Sequence, residues 1–368
     1  MTNRAVVLFL SSILLLSALP TISSAAEKEL TIEKTTWGDI SSDIFGHYPL
    51  PATAGDDNNE KGKLAIPKNW KFDVGVKYFL ESHTSYEFGN PSAPFQKPLS
   101  RLEFPLNTWW LDFELRRTSP RWSIGTKAGL SVSRNTDGRM LDSDWENENS
   151  PEMKTTYSEN ACRAEENWRV RTDVDVNISD WLGLPPTLEI RPLFAVEFQR
   201  LSLMAHDGVQ WSNGSYGDEG GSGIEGETSA LAMPGDGIHF RQDYYIYQLG
   251  LRGSWDALKM GKYAKLKLNG EADWGPVLGY NEDHHLQRSG DRFTYEKTSG
   301  NALYFSLGVD VVLAKDITAG ISMDYLWIRT TGYHRMSNVP LHQDATWQDG
   351  VRVWSDQTSL KAHVSYAF

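Results

Sequence analysis

The C-terminal segment, residues 360–368, alternates between apolar side chains and polar or small ones up to the final phenylalanine. Its apolar positions are Leu360, Ala362, Val364, Tyr366 and Phe368. Successive side chains of a β-strand point to opposite faces, so this pattern predicts a strand with one apolar and one polar side. Similar alternation begins near Trp122, Trp168, Ala264, Leu303 and Ile317. The chain is therefore expected to be an all-β protein.

Connection lengths indicate how these strands are arranged. Ten strands are predicted near residues 71–80, 101–117, 121–134, 167–180, 187–206, 238–256, 263–280, 303–314, 317–334 and 353–368. The links between them alternate in length, with long ones at 81–100, 135–166, 207–237, 281–302 and 335–352. Brief turns at one end, long loops at the other and an even strand number are typical of outer-membrane barrels, whereas a β-sandwich does not explain the asymmetry. We therefore predict a ten-stranded antiparallel transmembrane β-barrel with long extracellular loops and with Trp and Tyr girdles at the membrane interfaces.

The N-terminus has the pattern of a secretory signal. Arg4 precedes the apolar run 5–19, and Ser24-Ala25-Ala26 fits the small-residue cleavage rule, so residues 1–26 are predicted to be a signal peptide. An uncleaved anchor helix is the alternative, but the run is shorter than the about 20 apolar residues that a span needs. Residues 27–70 form a polar extension, either a periplasmic tail or a segment in the lumen, and 71–368 form the barrel.

Charge and cysteine content exclude several classes of function. The formal net charge is −12, and nucleic-acid binding is not expected because phosphates require a basic face. Cys162 is the only cysteine, which excludes an intrachain disulfide and a cysteine-rich zinc site. The low average hydropathy is consistent with a barrel that combines an apolar lipid face, a charged lumen and polar loops. The apolar outer face of the barrel is therefore expected to contact outer-membrane lipid.

Two clusters of ionisable residues lie where predicted upward strands meet long loops. Asp142 and Asp144 follow the third strand and share a face, since side chains two apart on a strand do so. Two close carboxylates tend to raise one pKa, which helps them to polarise a water molecule. Asp283 and His285 follow the seventh strand and also share a face, so the carboxylate can orient the imidazole as a general base. In a ten-strand ring these clusters face each other across the mouth.

Two other interpretations compete with a catalytic one. Each cluster taken alone is more typical of a solvated rim patch, because Asp and His are common in exposed loops. Asp142, Asp144, His284 and His285 could also offer oxygen and nitrogen ligands to a metal. No tight ligand spacing supports that option, so no metal is expected.

Several motifs together resemble a known family. They are Asp142-Ser143-Asp144-Trp145 with Pro151 and Ser158 after it, Asn177-Ile178-Ser179-Asp180-Trp181-Leu182 at a strand end, and Asp283-His284-His285 with Arg292-Phe293-Thr294-Tyr295 after it. These segments resemble the omptins, ten-stranded outer-membrane endopeptidases of Gram-negative bacteria. The likeness runs from about residue 71 to Phe368, with a differing N-terminal extension and some differing loop lengths.

The resemblance implies the roles of the clustered residues. By position, Asp283 and His285 would activate a water that attacks the scissile carbonyl directly, and Asp142 and Asp144 would form a couple opposite them. A shift of one residue would instead make His284 the base with Glu282 as its partner. The resemblance implies a monomer that needs no cofactor and has an extracellular active-site groove.

Ser158 matches a serine once suspected as the nucleophile of the omptins. No Gly-x-Ser-x-Gly elbow surrounds it, and no His-Asp pair is placed to deprotonate it, so Ser158 is interpreted as a bystander near the groove and counted among the substrate-binding candidates. Substrate preference is less well indicated. Asn281 stands where the family has a pocket carboxylate, and Glu81 and Glu87 are the nearest acidic candidates in the first long loop. The acidic outer loops would still attract cationic peptides electrostatically.

The resemblance also implies that activity requires lipopolysaccharide as a partner, held by basic residues of the outer wall. Arg200 and Arg241 lie near the matching strands. They could instead be lumen or rim arginines that pair with carboxylates such as Glu197 or Asp243. The leading hypothesis is thus an omptin-like endopeptidase acting on extracellular polypeptides. The alternative is a non-catalytic barrel of the same fold that serves as an adhesin or narrow pore.

Overall fold

The computed structural model describes residues 69–89, 98–147, 149–212, 229–260, 264–287, 292–338 and 343–368. The predicted signal peptide and nearly all of the predicted N-terminal extension lie outside these residues. Among the described residues, no helix is long and apolar enough to cross a membrane.

The described residues form one antiparallel sheet. Its strands are β1 (Trp70–Phe88), β2 (Ser100–Pro105), β3 (Trp109–Thr118), β4 (Trp122–Ser131), β5 (Met140–Asp144), β6 (Thr156–Ala164), β7 (Trp168–Val176), β8 (Leu188–Ser212), β9 (Ser229–Met260), β10 (Ala264–His285), β11 (Arg292–Val312), β12 (Ile317–Asn338) and β13 (Gln343–Ala367). The hydrogen-bonded order closes on itself because β13 pairs with β1, for example Phe72 with Tyr366.

Three walls of the ring consist of two strands each. β2 and β3 form the wall next to β1, since both pair with β1. β4 and β5 together form the next wall, and β6 and β7 form the wall after that. The first interruption follows Pro105, which lacks the amide hydrogen that would continue the ladder. Counted in this way the ring has ten walls, so the predicted ten-stranded antiparallel barrel is confirmed.

We call the end of the barrel that carries the short turns and Phe368 the lower end, and the opposite end the upper end. On the lower half, the outward positions form an apolar belt suited to lipid, and they include Phe72, Val74, Leu249, Leu251, Leu307, Ile321, Met323, Leu360 and Val364. An aromatic row on the outer wall bounds this belt above, with Trp168 against Phe198, Phe198 against Tyr245 and Tyr245 against Tyr280. The predicted outward orientation of the apolar face of the last strand is confirmed by the exposure of Leu360 and Tyr366.

The strands continue beyond their predicted upper ends. β1 extends to Phe88 and β10 to His285, whereas the sequence pattern ended them near residues 80 and 280. In β1 the alternation changes phase at a bulge, where Glu81 has a φ of 46° and the pairing with β13 shifts between Leu80 and His83. Much of the predicted long loops is therefore barrel wall above the belt.

The lower lumen contains charges of both signs, as the alternation predicts. Lys77 contacts Asp112 at 2.8 Å and Asp324 at 2.9 Å. Arg171 contacts Asp273 at 2.6 Å. Lys77, Asp112 and Asp324 line a cavity of about 310 Å³.

Candidate active site

The two ionisable clusters meet at a cleft in the upper lumen. Asp142 and Asp144 project inward from β5, and Asp283 and His285 project inward from β10. The cleft has a volume of about 220 Å³ and is lined by Tyr86, Phe88, Leu99, Ser100, Leu102, Asp142, Asp144, Glu146, His285, Arg292, Thr294 and Met336. Both carboxylates of β5 and the imidazole of β10 thus share one surface, while Asp283 lies behind His285.

Asp283 and His285 are in direct contact. The His285 Nε2 atom lies 3.2 Å from Asp283 Oδ2, and Asp283 is fully buried. Burial opposes ionisation of Asp283, but the charge of His285 and hydrogen bonds from His285 and Tyr86 hold the pKa of Asp283 below its usual value. Asp283 is therefore an ionised acceptor that fixes the orientation of the imidazole.

Tyr86 is a further member of this group. Its hydroxyl donates to the same Asp283 oxygen that faces His285, although β1 and β10 are not neighbours in the ring. Its ring stacks on Phe240 at 5.7 Å, inside the buried core of the upper lumen. Burial, followed by the negative charge of Asp283, raises the pKa of Tyr86 well above its usual value, so it remains a donor. The sequence analysis missed Tyr86 because the bulge at Glu81 breaks the pattern that would have placed it.

The couple on β5 is held by its two neighbouring strands. Asp142 lies opposite Leu102 of β2 and Ser158 of β6, and Asp144 lies opposite Ser100. Ser158 is buried, and its Oγ accepts a hydrogen bond from Asn160 at 3.1 Å. Ser158 is therefore next to the couple without lining the cleft.

The alternative pair, Glu282 and His284, lies on the opposite face of β10. Glu282 accepts a hydrogen bond from Arg241 at 3.1 Å on the outer wall. The ring of His284 stacks on Phe293 at 4.0 Å. Period two therefore brings Asp283 and His285 to the cleft and turns their neighbours away from it.

A second buried imidazole–carboxylate pair lies beside the first. His334 Nδ1 is 2.7 Å from Glu296 Oε1, and both side chains are fully buried. Phe88 stacks on His334 at 4.2 Å. Burial raises the pKa of Glu296, with a further contribution from Asp283, although the hydrogen bond from His334 opposes it. Glu296 and His334 are directly opposite each other in adjacent strands, and the sequence analysis missed the pair because alternation along a strand does not give the register between two strands.

The substrate-binding candidates do not line the cleft. Asn281 is buried two residues below Asp283. Glu87 Oε2 accepts hydrogen bonds from Arg101 Nε at 2.9 Å and Nη2 at 2.7 Å, on the face of β1 opposite Tyr86. Glu81 occupies the exposed bulge. The lining residues that the sequence analysis did not select are Glu146, Phe88, Leu99, Leu102, Ser100, Thr294, Arg292 and Met336.

Arg200 and Arg241 both lie on the outer wall. Arg200 makes a bidentate ion pair with Asp243, with both contacts at 2.7 Å, and its guanidinium lies 5.9 Å from the rings of Trp168 and Phe198. Arg241 pairs with Glu282. The pairing with Asp243 corresponds to one of the two interpretations that the sequence left open, but the arginine faces outward and not into the lumen.

The part of the chain that the structure describes has no group of three or more His, Cys, Asp or Glu side chains arranged to hold a metal ion. The cleft itself combines a carboxylate couple on one wall with an oriented imidazole on another. Such an arrangement can hold a water molecule, remove its proton and direct its oxygen at a bound carbonyl group.

Comparison with known proteins gives one family. The model of the omptin family matches residues 98–351. The outer membrane protease OmpT from Escherichia coli has a similar structure, with a TM-score of 0.70 and 15% identity over 82% of this chain and 98% of that chain. The translocator domain of the autotransporter NalP from Neisseria meningitidis covers 82% of this chain and 88% of its own at 9% identity, with a TM-score of 0.33. No curated protein matches the sequence.

Proposed function

We propose, because the chain belongs to the omptin family, that it is an endopeptidase that hydrolyses extracellular polypeptides at the outer membrane of a Gram-negative bacterium. Family membership makes the chain an outer-membrane protease in general terms. The more specific proposal is supported by one observation above all. His285, backed by Asp283, shares a 220 Å³ cleft with Asp142 and Asp144.

The proposed reaction uses water directly. A water molecule held between the couple and His285 gives a proton to the imidazole as its oxygen bonds to the scissile carbonyl carbon. His285 then returns the proton to the amide nitrogen as the carbon–nitrogen bond breaks. Asp283 stabilises the imidazolium between these steps, and a positioned general base of this kind contributes about 10²–10⁴-fold to the rate.

The acidic cleft favours cationic polypeptides as substrates. Asp144 and Glu146 line the cleft, and their carboxylates would attract a basic side chain next to the scissile bond. Phe88 and Met336 also line the cleft and would accept an adjoining apolar side chain. The long connections and the cleft would face the medium, and the protein would act as a monomer.

Lipopolysaccharide is the proposed partner on the outer wall. Arg200 and Arg241 lie two positions apart in neighbouring strands on one outward face, where guanidinium groups can bind phosphate oxygens. Each would exchange its present carboxylate for a phosphate when lipopolysaccharide binds. We expect Arg200→Gln to weaken activation by added lipopolysaccharide. At saturating lipopolysaccharide, the affinity of the variant for the peptide should equal that of wild type.

Cleavage of a cationic peptide library by the refolded full chain with lipopolysaccharide tests the proposal. We expect internal peptide bonds to be cut, Ser158→Ala to remain within about threefold of wild type, and His285→Ala to be inactive. Hydrolysis in ¹⁸O-water should label the new carboxyl group, and added amines should give no transfer product. Equal activity of wild type and His285→Ala would contradict the assignment of His285. A wild type that cuts no peptide would favour a non-catalytic adhesin or pore.

A further inference from the structure

Arg292 lines the same cleft and has no role in the reaction outlined above. It begins β11 and lies directly opposite His285 of β10 in the antiparallel register. Directly opposed residues have Cβ atoms about 4.5–5.5 Å apart and point to the same face. Arg292 therefore projects into the cleft beside His285.

The guanidinium of Arg292 is uncommitted. Its Nε is buried and donates no hydrogen bond to any described residue. Arg292 also makes no ion pair with any residue that the structure describes. Arginines of the lower lumen differ, since Arg116 contacts Asp173 at 2.7 Å and Arg191 contacts Asp175 at 3.0 Å and Glu189 at 3.1 Å. A buried N–H group without a partner is costly, so it is expected to serve a group that enters the cleft.

Direct hydrolysis of a peptide bond creates a need for such a group. When water adds to the carbonyl carbon, negative charge develops on the carbonyl oxygen. Asp142, Asp144 and Asp283 surround that position with carboxylates, which would raise the energy of the charged intermediate. Stabilisation of the developing oxyanion by a preorganised donor is usually the largest single contribution to catalysis of acyl transfer.

Resting on the proposed peptidase function, we propose that Arg292 is a catalytic residue that donates to the carbonyl oxygen and stabilises the oxyanion of the tetrahedral intermediate. The ligand class is thus a tetrahedral oxyanion formed between the couple and the imidazole. Among the residues that line the cleft, Arg292 is the one side chain with a permanent positive charge. It lies close enough to Asp283 for its charge to favour the ionised form of that carboxylate.

The test compares Arg292→Gln and Arg292→Lys with Arg335→Gln in the full chain refolded with lipopolysaccharide. Arg335 is a matched control, because it is an arginine of the upper end that pairs with Asp344 at 2.6 Å and does not line the cleft. We expect Arg292→Gln to lose about 10²–10³ in kcat with little change in KM. Arg292→Lys should recover part of that loss, and Arg335→Gln should match wild type. Unchanged thermal unfolding of each variant excludes misfolding as the cause.

A phosphinic peptide separates an oxyanion donor from a substrate-binding residue, because its anionic tetrahedral phosphorus mimics the intermediate. Its affinity should fall by the same factor as kcat/KM in Arg292→Gln. A raised KM with unchanged kcat, or an unchanged affinity for the phosphinic peptide, would overturn the proposal. If the wild-type protein cleaves no peptide, the proposed peptidase function is contradicted. Binding of the phosphinic peptide that depends on Arg292 would then still support the oxyanion site, and binding independent of Arg292 would overturn it.

Discussion

Two histidines in the lumen of this barrel have the same kind of partner and opposite surroundings. His285 contacts Asp283 at 3.2 Å in the upper lumen, and His363 contacts Asp310 at 3.1 Å in the lower lumen. Both pairs lie beside a cavity. An imidazole next to a carboxylate is therefore not enough to identify a catalytic base in this fold.

The neighbours of each pair differ in how their charges balance. Around His363, Lys361 contacts Asp73 at 2.6 Å, and lysines and arginines pair with carboxylates throughout the lower lumen. Around His285, the cleft carries the carboxylates of Asp142, Asp144 and Glu146 against one arginine. The lower lumen therefore pairs cations with carboxylates, whereas the cleft has an excess of carboxylates. This difference predicts four measurable contrasts.

The largest contrast concerns the two histidines themselves. We expect His285→Gln to reduce kcat/KM for a cationic peptide by about 10²–10⁴-fold, the usual contribution of a general base. His363→Gln should stay within about twofold of wild type, because its pair is part of the structural charge network. Parallel peptide assays on both refolded variants provide the comparison. A comparable loss in both would show that the lower network also controls activity.

The second contrast concerns stability. Lys77 is almost fully buried and contacts both Asp112 and Asp324, so Lys77→Met leaves two buried carboxylates without their shared cation. Removing one partner from a buried ion pair typically costs about 3–5 kcal/mol. We expect a lower midpoint of urea unfolding in detergent micelles, while kcat of the folded fraction remains unchanged. An unaltered midpoint would mean that the lower charges do not hold the barrel together.

The third contrast follows from the Tyr86 hydroxyl. The pKa of Asp283 lies below its usual value of about 3.9, so the ionised form is favoured and is lost only as pH falls through that lowered value. Tyr86→Phe removes a hydrogen bond to a charged group worth about 1.5–3 kcal/mol. The pKa of Asp283 should therefore rise toward its usual value, and the loss of activity on acidification should begin at a higher pH. A pH profile of kcat/KM that does not move would contradict this role.

The smallest contrast is the salt dependence of substrate capture. The excess of carboxylates that line the cleft should steer cationic peptides, and salt screens such long-range attraction over about 8–10 Å at physiological ionic strength. We expect kcat/KM for a cationic peptide to fall by about a factor of 3–10 between low and physiological salt. A neutral peptide is the control and should show little change. Equal salt sensitivity of the two peptides would argue against electrostatic steering.

Much of the candidate site could be predicted from the chain because it depends on spacing within a strand. Asp142 and Asp144 are two residues apart, as are Asp283 and His285, so each pair shares a face wherever its strand continues. The count of ten strands placed the two pairs on facing walls. Both statements follow from local periodicity and ring arithmetic.

Other members of the cleft depend on contacts across the lumen. Tyr86 reaches Asp283 from a strand that is not its neighbour. The Glu296–His334 pair beside the cleft depends instead on the register of the adjacent strands β11 and β12, in which the two residues are directly opposite each other. The bulge at Glu81 reverses the inward and outward positions above it, which turns Glu87 toward Arg101 and away from the cleft. A single inserted residue in one strand has this effect because the side-chain period of a strand is two.

The sequence by itself therefore determined the fold class, the outward apolar belt and the two ionisable pairs, since alternation along a strand fixes which side chains face lipid and which face the lumen. Only the tertiary structure decided which charges are compensated. Closure of the ring and the register between strands set the distances across the lumen, and those distances pair Arg171 with Asp273 while leaving Arg292 beside His285 without a carboxylate among the described residues. Electrostatic compensation depends on these distances, and no periodicity along the chain encodes them.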